Sequence, residues 1–251
     1  MKLFVSENIL KEKLALSDYR QYLELVAQAY KEAPDFEQDA VSHWNALKKS
    51  NYTLFKRMLS KVDVVFVTED QDKDNTFFTI LGKKFPVKYI KGGQPYSTQP
   101  EMKSEVQKTG VLKINIDYSD HPIFAANGDI RDNIVMRSIH DYLTHILADV
   151  GFGGKGEIAA FNVHAKLAPR DAVPALFTEV VGQAAYATVF GGFPKQKIAL
   201  LKGFDYYNLG KIYDERYEIK NKRLVPKDGE DKFKDAERET KDYVAVSGSD
   251  Q

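Results

Sequence analysis

The stretch that most constrains the fold is residues 171–190, "DAVPALFTEVVGQAAYATVF", which is apolar on almost every side if it forms a helix. A helix without a polar face belongs in the interior of a protein. This one nevertheless carries Glu179, with Gln183 four residues later. Because an unpaired buried charge costs several kcal/mol, Glu179 must be paired, protonated or bound to a metal. Any fold of this chain therefore has to bring polar partners to this helix.

The preceding sequence predicts two further helices that can supply those partners. We expect them at about residues 130–150 and 156–167, with "GFGG" and "APRD" as the connectors. Short connectors make consecutive helices antiparallel and able to face one another. Glu157 and His164 lie seven residues apart on the buried side of the second helix. The carboxylate of Glu157 therefore needs a buried partner as well.

The first of these helices contains "SIHDYLTH", which places His140, Asp141 and His145 within two turns. At about 100° per residue, Asp141 and His145 lie opposite the apolar face, with Arg137 one turn before Asp141. Alone, this row is typical of a solvated face with weak ion pairs. Since two buried carboxylates need partners, we expect the N-terminal helices to cover this side. The predicted polar cluster comprises Arg137, His140, Asp141, His145, Glu157, His164, Glu179 and Gln183.

Three interpretations of this cluster remain open. The favoured one is a hydrogen-bond network that fixes helix packing and needs no cofactor. The second is a zinc, manganese or iron site, because imidazole and carboxylate ligands on facing helices suit these metals. No HExxH motif is present, and His140 and His145, about 140° apart on an α-helix, make a poor chelating pair. The third is a metal-free acid–base site. The candidate metal ligands are His140, Glu157, His164 and Glu179.

The rest of the chain predicts an α+β fold with a mainly helical core and a small mixed β-sheet. Periodicity indicates N-terminal helices at about 17–33, 35–50 and 52–59. Runs rich in β-branched residues, such as "VDVVFV" and "VLKINIDY", indicate strands. "HPIFAANGD", with His121, indicates a turn after a strand. We predict one domain over residues 1–214, helical at 1–60 and 130–190 with the sheet at 62–118, and an extended charged C-terminal arm at 215–251.

Charge and cysteine content narrow the classes of partner. The 36 basic and 36 acidic residues cancel, so no long-range field favours nucleic acid or an anionic membrane, although a local basic patch stays open. No run reaches the ~20 apolar residues of a membrane span. The absence of cysteine fits a protein assembled inside a cell. The arm alternates acidic and basic residues, and we expect it to be ordered only against a neighbour.

The pattern HD, His, GE, His, TE and GQ resembles that of a family of uncharacterised proteins encoded by tailed bacteriophages. The resemblance implies a virion component, such as a head-to-tail adaptor or internal protein, assembled in the host cytoplasm. Its partners would be other virion proteins or further copies of the chain, bound through the arm. The alternative is a metal-dependent hydrolase that uses the same cluster, although a non-enzymatic role is favoured. The pattern falls on His140, Asp141, His145, Gly156, Glu157, His164, Thr178, Glu179, Gly182 and Gln183.

Overall fold

The computed structural model describes residues 16–152, 154–209, 217–220 and 223–226. It confirms the predicted α+β fold, in which helices pack with a small mixed sheet. Most of the predicted arm at 215–251 lies outside the described residues. Its described part is a pair of antiparallel strands, and the second strand lies beside the first helix.

Two kinds of helical segment build the core. The α-helices are α1 Leu16–Glu32, α2 Val41–Met58, α3 Gln99–Thr109, α4 Arg131–His140, α5 Gly154–Leu167, α6 Val173–Leu176 and α7 Gln183–Phe190. A first π-helical segment, Asp141–Leu147, continues α4, and a second one, Phe177–Gly182, joins α6 to α7. Short 3-10 turns occupy Gln38–Ala40, Gln71–Lys73, Ala126–Gly128 and Arg170–Ala172. The strands are β1 Asp63–Thr68, β2 Phe77–Ile80, β3 Lys83–Tyr89, β4 Val111–Asn115, β5 Tyr217–Lys220 and β6 Arg223–Pro226.

The main sheet has the strand order β2-β3-β1-β4 and lies within the predicted range 62–118. β1 is parallel to β3 and β4, whereas β2 is antiparallel to β3. Alternate side chains of β1 point into the core, and Phe66 lies opposite Ile114 of β4. Parallel strands need a crossover connection, which α3 supplies between β3 and β4. The crossover places Gln99, in the first turn of α3, next to the first π segment, where its side chain bonds to the His145 carbonyl.

The N-terminal helices differ from the prediction. Instead of separate helices at 35–50 and 52–59, one helix runs unbroken over Val41–Met58. Asn51 stands where the break was predicted, but it is buried and its amide bonds to other parts of the fold. Its Nδ2 donates to Met136 Sδ at 3.1 Å, and its Oδ1 accepts from His164 Nε2 at 3.2 Å. Because these long-range contacts satisfy the polar side chain, it does not end the helix.

The apolar segment at 171–190 is largely buried, as predicted, and packs against α1. By length and composition alone, the helix over residues 170–190 could cross a membrane, a test that buried core helices of soluble proteins also meet. At Gly182 the two helices approach so closely that an added Cβ would lie 2.6 Å from Tyr30 Cδ2 and 2.9 Å from Leu201 Cδ1. The glycine of the GQ pair is therefore required by packing.

We predict that Gly182→Val lowers the free energy of unfolding by about 3 kcal/mol, because Tyr30 is fully buried and cannot move aside. Urea denaturation measures the effect. Gly151→Val is the matched control: an added Cβ there meets nothing within 4 Å, so the change should stay within about 0.5 kcal/mol. Equal effects of the two variants would contradict the close approach.

Candidate functional site

The first π segment gives the site its geometry. In a π turn the backbone hydrogen bond spans five residues, as it does from Ala148 N to Leu143 O at 3.2 Å. Residues five apart therefore lie over one another instead of about 140° apart. The rings of His140 and His145 come within 5.1 Å, centroid to centroid, at an interplanar angle of 76°. The predicted separation of about 140° between these two histidines was wrong, because it assumed an α-helical turn; whether the pair binds a metal stays a prediction.

His145 is buried, with 2 % of its surface exposed. The elements that cover it are α3 and α5, and not the N-terminal helices as predicted. Gln99 of α3 donates its Nε2 hydrogen to the His145 backbone carbonyl at 2.7 Å. The ring of Phe152 contacts the imidazole edge-on at 4.6 Å between centroids.

The tautomer of His145 follows from its contacts. Its Nδ1 lies 2.7 Å from the Val150 carbonyl oxygen, which can only accept, so Nδ1 carries the proton. Burial is the main cause that lowers the pKa of His145, so the ring is neutral at pH 7. Its Nε2 therefore presents a lone pair. That lone pair lies 3.8 Å from Oε1 of Glu157.

Glu157 joins the two histidines. Its Oε2 lies 3.0 Å from His140 Nε2, which donates to it. Burial alone would lower the pKa of His140, but the charge and hydrogen bond of Glu157 outweigh it and leave that pKa raised. Burial tends to raise the pKa of Glu157, but the charge and hydrogen bond of His140, with a further electrostatic contribution from His145, leave that pKa lowered. The Nδ1 atom of His140 is buried and has no hydrogen-bond partner in the described structure.

Asp141 completes the group. One ligand atom from each of His140, Asp141 and His145 lies within 4.8 Å of the others, a spacing that could hold a metal ion. The pKa of Asp141 is raised to about 6: burial is the largest cause, His140 and Arg137 oppose it, and Glu157 adds to it. The carboxylate is therefore costly to ionise without a nearby cation.

Arg137 anchors this helix to the sheet. Its Nη1 donates to the carbonyl oxygens of Asn115 and Asp117, and its Nη2 to that of Tyr118, each at 2.9 Å. These carbonyls belong to the end of β4 and the loop that follows it. Arg137 thus positions the start of the first π segment. Its charge also lowers the pKa of Asp141, which lies one turn later.

His164 lies next to the group and has a different partner. Its Nε2 donates to Asn51 of α2, while its Nδ1 is buried without a partner in the described residues. Burial, reinforced by the charge of His140, lowers the pKa of His164 to about 3. This imidazole is therefore neutral and holds α5 against α2.

Glu179 and Gln183 form a second polar group in the second π segment and α7. Glu179 Oε2 accepts from Gln183 Nε2 at 2.7 Å, and the same amide nitrogen donates to Gln196 Oε1 at 2.8 Å. The charge of Glu179 reaches His140, where it contributes to the raised pKa. The eight predicted residues thus lie in neighbouring groups, and only four of them share direct contacts around Glu157.

The sequence pattern missed His121 as a partner of Glu179. His121 Nδ1 accepts hydrogen bonds from the backbone N–H groups of Ile123 at 3.1 Å and Phe124 at 2.9 Å, within the predicted turn. These two bonds fix the tautomer of the imidazole, because Nδ1 must carry a lone pair. The proton of the neutral ring is therefore on Nε2, which lies 3.4 Å from Glu179 Oε2. The buried carboxylate of Glu179 was the signal for a partner such as His121. That partner was expected on a neighbouring helix, whereas His121 lies in a loop.

The glycine of the GE pair is explained by backbone packing. A Cβ on Gly156 would lie 1.7 Å from the carbonyl oxygen of Gly151. No side chain fits in that space, because the neighbouring atom is backbone. Because Gly156 has no side chain, the first turn of α5 can pack directly against the backbone of Gly151. This close approach places the next residue, Glu157, within reach of the two histidines.

Comparisons of the chain with protein-family models, curated proteins and solved structures find no match. The candidate site is therefore judged on its own geometry. Four side chains carry it: His140, Asp141, His145 and Glu157.

We predict that His164 makes the protein acid-sensitive. Its pKa is about 3 in the folded state and about 6.5 when unfolded, so only the unfolded chain binds a proton between these values. Its contribution is complete above pH 6.5 and is lost as the pH falls. Between pH 6.5 and 5 this removes about 2 kcal/mol.

His164→Gln should flatten the dependence of the unfolding free energy on pH over this interval. Part of the slope should remain, because the pKa of His145 is lowered too. His43→Gln, at a histidine whose Nδ1 lies 2.6 Å from the Asp171 carbonyl oxygen, is the matched control and should leave the slope due to His164 in place. Urea unfolding at several pH values measures both, and an unchanged slope in His164→Gln would refute the assignment.

Proposed function

We propose that this chain is a metal-dependent enzyme of the hydrolytic type. His140, Asp141 and His145 bind a divalent ion, and Glu157 is the general base. The observation that carries the proposal is the lone pair of His145 Nε2, which faces a carboxylate oxygen of Glu157 at 3.8 Å.

A lone pair opposite a carboxylate oxygen is an unfavourable arrangement unless a cation lies close by. Burial disfavours protonation of His145 by lowering the pKa of this ring, so the only charge that a side chain of the group offers Glu157 is that of His140, whose pKa is raised and whose Nε2 lies on the other carboxylate oxygen. His140 adds a second buried nitrogen without a partner, and Asp141 adds a carboxylate that burial keeps hard to ionise. Since one ligand atom from each of His140, Asp141 and His145 lies within 4.8 Å of the others, a single divalent cation could contact all three residues.

The donor set favours zinc, manganese or iron. Two imidazoles and one carboxylate suit these ions, and three protein ligands leave a coordination position open, as catalytic sites do. His145 also has the outer support typical of metal-binding histidines, because its Nδ1–H donates to the Val150 carbonyl. Gln99 holds the backbone of the same residue.

The site is accessible from one side. The side chains of His140 and Glu157 are 15 % and 23 % exposed, respectively. Two large apolar side chains nearby, Leu147 and Phe152, are exposed to solvent. Such a rim can contact the apolar part of a substrate while its polar bond reaches the metal.

A bound divalent ion supplies a water whose pKa is lowered to about 7. Glu157 lies beside the ligands and is the group positioned to accept the proton of that water. With the ion held by His140, Asp141 and His145 and the proton accepted by Glu157, the site would be suited to hydrolysis of an acyl or phosphoryl bond. Glu157 and the three residues beside it thus favour the hydrolase alternative over the cofactor-free packing network.

The virion role implied by the bacteriophage resemblance stays a second proposal. It depends on the charged arm, most of which lies outside the described residues. Strand β6 lies beside α1 of the same chain, so at least this part of the arm contacts its own domain. A virion component that carries a hydrolytic centre would satisfy both proposals.

We predict that the purified protein binds close to one equivalent of zinc, manganese or iron, measured by elemental analysis after dialysis. His145→Ala should lose the metal, because it removes a ligand with its lone pair fixed toward the site. His164→Gln is the control and should keep it, because His164 bonds to Asn51. Metal-free wild-type protein that gains no thermal stability from any of the three ions would refute the proposal.

The role of Glu157 is tested separately. Glu157→Gln should retain the metal but lose about 100-fold or more in the hydrolysis of chromogenic ester and phosphodiester substrates. Loss of the metal from this variant would instead make Glu157 a ligand. Metal-loaded wild-type protein that hydrolyses neither class of substrate would refute the enzymatic assignment while leaving metal binding intact.

A further inference from the structure

The solvent-facing side of α2, together with the turn between β2 and β3, forms an open groove of about 780 Å³. It lies on the side of α2 opposite Asn51, which faces the interior and bonds to His164. The groove is therefore separate from the candidate metal site. Its lining residues are Asn45, Lys48, Lys49, Tyr52, Thr53, Lys56, Arg57 and Leu81.

The lining of the groove is strongly basic. Four of its eight residues are lysine or arginine, and none is acidic. Lys48 forms an ion pair with Asp132 at the edge. Lys49, Lys56 and Arg57 are exposed and form no ion pair with any residue that the structure describes. In a chain with zero net charge, these three side chains concentrate uncompensated positive charge on one face.

The charges follow the axis of one straight helix. From Lys48 to Arg57 the charged residues extend over about 14 Å at about 1.5 Å per residue. A nucleic-acid strand advances about 3.4 Å per phosphate in a duplex, so this length corresponds to about four phosphates. A row of this length suits a polymer with regularly spaced negative charges better than a single anion.

We propose that this groove binds the phosphate backbone of a nucleic acid. Lys49, Lys56 and Arg57 supply the charge, and the uncharged donors Asn45 and Thr53 are of the kind that commonly contact phosphate oxygens. An anionic membrane fits less well. Leu81 is the sole aliphatic residue of the lining, whereas surface binding to lipid adds apolar insertion.

The charge balance explains why composition carries no nucleic-acid signal. Zero net charge excludes a long-range field, but it does not report how charges are distributed over the surface. The basic residues of α2 acquire their common face only when 35–50 and 52–59 join into one helix. The proposal is independent of the metal site, so either can fail without the other.

The test is fluorescence anisotropy of the full chain with a labelled single strand and a labelled duplex of about 20 nucleotides, from about 50 to 200 mM salt. The triple variant Lys49→Gln, Lys56→Gln, Arg57→Gln should bind about tenfold more weakly at the lower salt. Its plot of log affinity against log salt should be shallower by about 2, since each lost phosphate contact removes about 0.7 to 0.9.

The matched control removes three exposed lysines from other surfaces: Lys91→Gln, Lys108→Gln, Lys166→Gln. It should bind within about twofold of wild type, because it leaves the phosphate contacts intact. Circular dichroism melting checks that both triple variants fold. If the groove variant does not fold, Lys56→Glu alone replaces it and should also weaken binding.

Three results would overturn the proposal. The first is that the wild-type protein binds neither oligonucleotide at the lower salt. The second is that the control triple weakens binding as much as the groove triple, which would show diffuse attraction. The third is binding to phosphatidylserine vesicles or to a polyglutamate peptide with no binding to nucleic acid.

Discussion

The hydrogen bond from His145 Nδ1 to the Val150 carbonyl is the interaction on which the candidate site depends. It is available because the chain turns back after the first π segment, where Val150 N donates to Thr144 O at 3.1 Å. The bond fixes the ring orientation and the tautomer together. Without it the lone pair could be on either nitrogen, and Nε2 could donate a hydrogen bond to Glu157 instead of presenting a lone pair to it.

The sequence predicted the fold class, and it directed attention to side chains that the structure places in neighbouring polar groups, for a physical reason. A carboxylate in an apolar helix demands a partner, so Glu179 and Glu157 directed attention to the few histidines nearby. The direct contacts were less predictable. Periodicity assumes 3.6 residues per turn, and the π turn that aligns His140 with His145 leaves no mark in an apolar pattern. Partners from distant segments, such as Asn51 and His121, were equally invisible.

The two faces of α2 connect the interior with the surface. Asn51 on the inner face holds His164, and the basic groove lies on the outer face. The same continuous helix therefore supports the packing beside the candidate metal site and displays its positive charge to solvent. The sequence suggested two shorter helices here, which would have interrupted both faces at Asn51.

The π segment also means that spacing encodes the site as much as residue identity does. Relative to an α-helix, a π turn accommodates one additional residue between groups that face each other. Deleting Thr144 would retain every candidate ligand and still rotate His145 out of phase with His140. A motif search that demands an α-helical interval between histidines would pass over this arrangement. Histidines five residues apart on a buried helix are therefore a signature worth examining in other chains.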